Sequence, residues 1–149
     1  MRDGQLVTQP RFSRRILRVS FLSLLSVASA AYNRCHGCAL CALLVFCNSV
    51  NYWRHPVFGW RRNLDMLVAG FTLMYQLALT AQLLSPAPRA AYHASVGVGV
   101  GCYATSRLLS FTYGRKDISS WFHVALHVTA NIGNLLLYDA LGSNWLGWP

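Results

Sequence analysis

Five stretches of apolar residues separated by short polar breaks organise the chain: Ile16–Tyr32, Cys35–Trp53, Leu64–Leu84, Ala90–Phe111 and Trp121–Leu141. Each is close to the ~20 residues an α-helix needs to cross a hydrocarbon layer of ~30 Å. The breaks hold helix breakers: Pro56 and Gly59, then Ser85-Pro86-Ala87-Pro88, then Gly114 to Asp117. This pattern predicts an all-α fold, a polytopic membrane helix bundle of about five transmembrane helices. Residues 1–149 form one integral membrane domain, of which 1–15 are a basic cytosolic segment. Ala28-Ser29-Ala30, at the end of the first run, fits a signal-peptidase site, and cleavage there would leave four spans. The same small residues suit a retained helix that packs in lipid, and retention is the reading taken.

Composition agrees. Hydrophobic residues make up 54% of the chain and charged residues 11%, against about 25% in ordinary soluble domains. The acids are Asp3, Asp65, Asp117 and Asp139, with no Glu, and Lys116 is the one Lys among the 13 basic residues. The net charge of +9 is not the footprint of a nucleic-acid partner, because the charges sit in short clusters between apolar runs. They suit cytosolic loops facing anionic lipid, so the bilayer is the expected partner. With the N-terminus inside, Arg2, Arg11, Arg14, Arg15, Arg18, Arg54, Arg61, Arg62, Arg107, Arg115 and Lys116 fall on the cytosolic side. Arg34 and Arg89 fall on the other side, together with Pro149. That bias predicts the orientation.

Within the runs, polar residues recur at helical spacing. Ser120, His123, His127, Asn131, Asn134 and Tyr138 share one face of the last helix, and Asp65, Thr72, Gln76 and Thr80 one face of the third. Asn48, Ser49 and Asn51 end the second. Polar groups in hydrocarbon are costly unless paired, so these faces are expected to meet in the interior. The alternating topology puts Ser49, Asp65, His123 and His127 at nearly one depth, ~5 to 10 Å from the cytosolic face. A small-residue stripe on the fourth helix, Ala90, Ala94, Gly97, Gly101 and Thr105, reads as a close-packing surface. Trp53-Arg54-His55-Pro56 and Trp60-Arg61-Arg62 read as an interfacial anchor.

Two imidazoles at i and i+4 can chelate one ion, and zinc favours such nitrogens. His123 and His127 are therefore candidate metal ligands, with Asp65 as ligand or base and Ser49 positioned to orient a bound water. Helix packing by interhelical hydrogen bonds accounts for the same residues, with Arg61 or Arg62 pairing Asp65 across a turn. Cys35 and Cys38 resemble half a zinc ribbon, but with Cys41, Cys47 and Cys102 they read better as small apolar residues. His36 and His93 offer two axial haem ligands on the non-cytosolic side.

The order Ser49 in Asn48-Ser49-Val50-Asn51-Tyr52-Trp53, Asp65 in Arg62-Asn63-Leu64-Asp65, then His123-x-x-x-His127 resembles the membrane hydrolase superfamily of alkaline ceramidases and progestin/adipoQ receptors. The resemblance implies a zinc held by an Asp and three His beside the Ser, and hydrolysis of a lipid amide or ester. This chain departs from that pattern in two ways. Trp53 stands where the family has its third His, with His55 two residues late, and five helices stand against a seven-helix core. Two readings follow: a divergent zinc-dependent lipid hydrolase acting on a lipid substrate, and a non-catalytic membrane protein whose polar stripes serve packing or a partner.

Overall fold

The structure, a computed structural model, describes residues 5–83 and 85–146, with backbone alone for 144–146; Arg2, Leu84 and Pro149 lie outside the described residues. The helices are α1 Pro10–Ser20, α2 Ser23–Tyr32, α3 His36–Trp53, α4 Trp60–Leu79, α5 Pro86–Phe111 and α6 Lys116–Leu146, with a 3₁₀ turn Thr80–Gln82 extending α4. The fold is all-α, as the apolar pattern predicts. Phe21 and Leu22 keep right-handed helical angles between α1 and α2, so these two form one rod. Five rods result, each built on one apolar run. Pro10–Tyr32 and Trp60–Gln82, each of 23 residues, are long and apolar enough to cross a membrane. Of the described helices these are the two for which that holds.

The helix ends follow local chemistry. Pro10 and Pro86 open α1 and α5, where a missing N–H costs nothing. Gly59 (φ 148°) precedes α4 and Gly114 (φ 64°) follows α5, both in backbone that favours glycine. The turn from α2 to α3 lacks this device. There Cys35 N donates to Ala30 O (2.8 Å) and Arg34 N to Ala31 O (3.1 Å), a Schellman closure with Arg34 left-handed at φ 59°. A left-handed residue with a Cβ costs about 1–2 kcal/mol, part of which glycine returns as chain entropy. Arg34→Gly is therefore expected to stabilise the fold by about 0.5–1 kcal/mol, seen as a higher thermal midpoint in detergent. An unchanged or lower midpoint would show that the arginine side chain offsets its own backbone strain.

The α1–α2 rod lies between α3 and α6, α4 flanks α3, and α5 flanks α6. The basic segments gather at one end. Val7 N donates to Pro56 O (2.8 Å) and Phe58 N to Gln5 O (3.0 Å), which straps the N-terminal segment to the α3–α4 loop. Lys116 Nζ reaches Val7 O at 3.4 Å, and Arg15 Nη1 reaches Asp117 Oδ1 at 3.1 Å. That ion pair is half in solvent and adds under ~1 kcal/mol by itself. Ser120 Oγ, 2.7 Å from the same guanidinium nitrogen, holds it in place.

Apolar packing concentrates at the opposite end, around Ala30, Cys38, Leu83, Tyr92, Leu137, Tyr138 and Leu141. Between the two ends the interior is polar. Ser26 Oγ donates to Asn131 Oδ1 (2.6 Å) and accepts from Asn134 Nδ2 (3.3 Å). Gln76 Nε2 donates to Tyr138 Oη (2.6 Å), and Tyr92 Oη donates to Gln76 Oε1 (3.0 Å). Thr72, Gln76, Thr80, Ser120, Asn131 and Tyr138 are all buried, so the α4 and α6 stripes face inward as their spacing predicts. Outer faces are the apolar ones: Leu67 is 69% exposed and Phe71 and Met74 each 66%.

The small-residue stripe of α5 does not pack as expected. Ala90, Ala94, Gly97 and Gly101 are exposed, and a Cβ added at Gly97 or Gly101 meets nothing within 4 Å. The buried face is instead Tyr92, Gly99 and Ser106. A Cβ at Gly99 would stand 3.4 Å from Thr129 Oγ1 and 3.5 Å from Leu126 Cδ1. Small residues occupy two faces of α5, and the hydrogen-bonding one wins the interior: Ser106 Oγ donates to Ser119 O (2.9 Å) and Ser119 Oγ to Ser106 O (2.8 Å).

Candidate functional site

Because α4 sits on α3 and α5 on α6, no extended packing joins α4 to α5. Their meeting is local: Tyr92 Oη to Gln76 and Thr80 Oγ1 to His93 Nε2 (3.1 Å) pin them at the apolar end. From there toward the basic end the gap between them opens into a cavity of about 410 Å³, within the range that encloses small ligands. Ser49 from α3, Asp65 from α4, and His123 and His127 from α6 all line it. Sequence spacing predicts this convergence, and the geometry realises it.

Ser49 Oγ donates to Asp65 Oδ1 at 2.8 Å. The alternative pairing of Asp65 with Arg61 or Arg62 is absent among the described residues. Those guanidiniums lie over rings instead, Arg61 5.7 Å from the Trp60 centroid and Arg62 5.4 Å from that of Phe58. The His123 and His127 rings stand 5.3 Å apart, and among the described residues neither ring nitrogen has a hydrogen-bond partner. Trp53 packs edge-on against His123 at 4.9 Å. His55 is exposed on the loop and lines no wall of the cavity. Neither His36, exposed at the start of α3, nor His93, bonded to Thr80, lines it either.

The donor set fits the zinc site implied by the resemblance only in part. The imidazole pair is close enough for one ion at ~2.0–2.1 Å from each nitrogen, but catalytic zinc takes three protein ligands and keeps a fourth position open. Among the described residues no three His, Cys, Asp or Glu side chains stand together as a metal-holding group. Asp65 is turned to Ser49, and an indole occupies one side of His123. As they stand, these side chains do not make a zinc site. What they offer a ligand is one carboxylate oriented by a hydroxyl and two imidazoles with free nitrogens.

Periodicity left out several walls. Tyr92, Gly99 and Tyr103 bring α5 to the cavity, and their spacings of seven and four residues are helical, hidden beside the competing stripe of small residues. Below Asp65 a second, smaller cavity of about 80 Å³ opens at the basic end, sharing Asp65, Met66, Tyr103 and His123 with the first and adding Arg62, Arg107 and Lys116. No protein-family profile, curated protein or solved structure matches this chain.

Proposed function

We propose that the chain is a five-span membrane protein, with its N-terminus and the loops at Arg54–Arg62 and Arg115–Lys116 in the cytosol, that takes a lipid amphiphile into the cavity between α4 and α5. The observation that carries this reading is the cavity itself. It is flanked by helices whose outer faces are apolar, it is lined by both α4 and α5, and its polar lining includes two imidazoles that packing leaves unused. Asn131, Asn134, Gln76 and Tyr138 spend their polarity on one another and on neighbouring helices. His123 and His127 do not, and Asp65 has one short partner. Two lines support the membrane part. Polar side chains are buried while Leu, Phe and Met face outward, the reverse of a soluble fold. The loops assigned to the cytosol by charge also lie together at one end.

Cysteine labelling is the test of orientation. In a variant lacking the native cysteines, a cysteine at Phe58 or Gly114 is expected to react from the cytosolic side alone, and one at Ser85 from the opposite side alone. Reaction of Phe58 and Ser85 from the same side would remove the α4 span. For the cavity, lipid extracted from the purified protein is expected to include a species present in near-stoichiometric amount. Its loss in Ala69→Phe or Gly70→Phe, which fill the wall, at unchanged folded yield would place it in the α4–α5 gap.

A second reading, hydrolysis of the bound lipid's amide or ester, is favoured by the Ser49–Asp65 contact. A carboxylate accepting from a hydroxyl or a water beside it can act as general base. Turnover of a fluorescent amide or ester lipid, lost in Asp65→Asn while lipid binding persists, would establish it. The zinc-dependent form of that reading needs Asp65 to leave Ser49 for the His pair. It predicts near-stoichiometric zinc in the wild type, lost in His127→Ala.

A further inference from the structure

Three cations line the smaller cavity at the basic end: Arg62 of α4, Arg107 of α5 and Lys116 of α6. Among the described residues none is paired with a carboxylate, the single ion pair being Arg15–Asp117. Arg107 lies over the Phe111 ring at 4.3 Å and the Tyr103 ring at 5.9 Å, and Lys116 reaches a backbone carbonyl at 3.4 Å. The acid on the same wall, Asp65, already accepts from Ser49. Unpaired cations in a low-dielectric cleft focus a positive potential there. An oxyanion answers it. Asp65, Met66, Tyr103 and His123 line both this cavity and the larger one, which carries apolar groups such as Val45, Leu73, Val96 and Val100. Anion site and apolar slot are therefore neighbours across one shared wall.

We propose that this mouth binds the phosphate headgroup of a single-tailed lipid, with Arg62, Arg107 and Lys116 holding the phosphate and the tail lying in the cavity beyond Asp65. The inference rests on the reading of the cavity as a lipid pocket, and adds the charge and shape of the ligand. The competing account is that these residues merely belong to a basic surface attracted to anionic leaflets, as Arg54 and Arg61 would. Position separates the two.

The experiment is equilibrium binding of radiolabelled lysophosphatidic acid to the full chain in nanodiscs of uncharged phosphatidylcholine, with monoacylglycerol of the same tail and glycerol phosphate as competitors. Lysophosphatidic acid is expected to bind saturably near one per chain. Arg62→Gln and Arg107→Gln are each expected to weaken it by about tenfold or more, since each removes a charge-assisted contact. Arg54→Gln, on the exposed loop, is expected to leave it unchanged. In the wild type alone, an approximately tenfold rise in ionic strength is expected to weaken the phosphate lipid and spare the monoacylglycerol. That arm needs no variant to fold. Equal affinity for monoacylglycerol would overturn the anion site and leave the lipid pocket standing. Competition by glycerol phosphate as strong as by the lipid would make the ligand a soluble phosphate. Equal losses in the Arg54, Arg62 and Arg107 variants would reduce the mouth to surface charge. No binding of either lipid would sink both this inference and the cavity reading.

Discussion

Gly133→Leu is expected to prise α5 from α6 and to be among the most damaging single changes in this chain. A Cβ at Gly133 would collide with Ser95 Oγ, sit 3.1 Å from Ser95 Cβ and reach within 3.6 Å of the Tyr92 ring. Ser95 cannot simply rotate away without losing its bond to Tyr92 O (2.7 Å). Behind it Tyr92 is 1% exposed and wedged in the apolar end of the bundle. Overpacking of a tight contact costs about 1–3 kcal/mol, more where backbone must shift. A large drop in thermal midpoint, partly recovered in Gly133→Leu/Ser95→Gly, is the expected outcome. A midpoint within a degree or two of wild type would mean that α5 is free to ride outward. The interface would then be looser than its small residues suggest.

Gln76→Leu is expected to open the closed end of the cavity. Gln76 is 3% exposed and links three helices through Tyr138 and Tyr92, themselves 0% and 1% exposed. A buried hydroxyl left without a partner costs about 1–3 kcal/mol, and interhelical bonds in lipid sit toward the low end of that range. A total loss of roughly 1–3 kcal/mol is expected, read from unfolding in mixed micelles. The diagnostic arm is the triple variant Gln76→Leu/Tyr92→Phe/Tyr138→Phe, which removes the orphans together with their partner. It should recover most of the loss, because an apolar replacement of a whole network is far cheaper than half of one. If the triple variant is no better than Gln76→Leu, packing volume rather than polarity holds that corner.

The polar faces of α4 and α6 were legible in the sequence because a lone polar residue on an apolar helix has few places to go. Once Thr72, Gln76, Asn131 and Tyr138 recur at helical spacing, only a shared interior satisfies them. The same reasoning set Ser49, Asp65, His123 and His127 at nearly one depth, and the structure brings them to one cavity. It failed on α5, where Ala90, Gly97 and Gly101 compete with Tyr92, Gly99 and Tyr103. Small residues carry no hydration cost that would tell inside from outside. The partner of Asp65 was also illegible. Arg61 and Arg62 lie a turn before it, but Phe58 and Trp60 offer their guanidiniums nearer platforms. Ser49, sixteen positions back, completes the bond. The strap of residues 5–9 over the α3–α4 loop has no periodic signal at all, since it is made of backbone bonds.

The position of the α1–α2 rod between α3 and α6 has a consequence for biogenesis. On the five-span reading the first rod to leave the ribosome is bonded to the last: Arg15 to Asp117 across 102 positions, Ser26 to Asn131 across 105. Until α6 is made, Ser26 has no acceptor other than its own helix or stray water, and the whole polar interior of the bundle stands open to lipid. A chain arrested before α6 would therefore be a membrane-embedded intermediate with unmet hydrogen bonds on its inner face, a costly state in hydrocarbon. α6 in turn is poorly suited to enter hydrocarbon alone, with two histidines, three asparagines and two aspartates along it. It gains a favourable route only by sliding against rods already in place. Such a protein completes itself in one late step, and its half-life while unfinished is governed by how quickly the last helix follows the first.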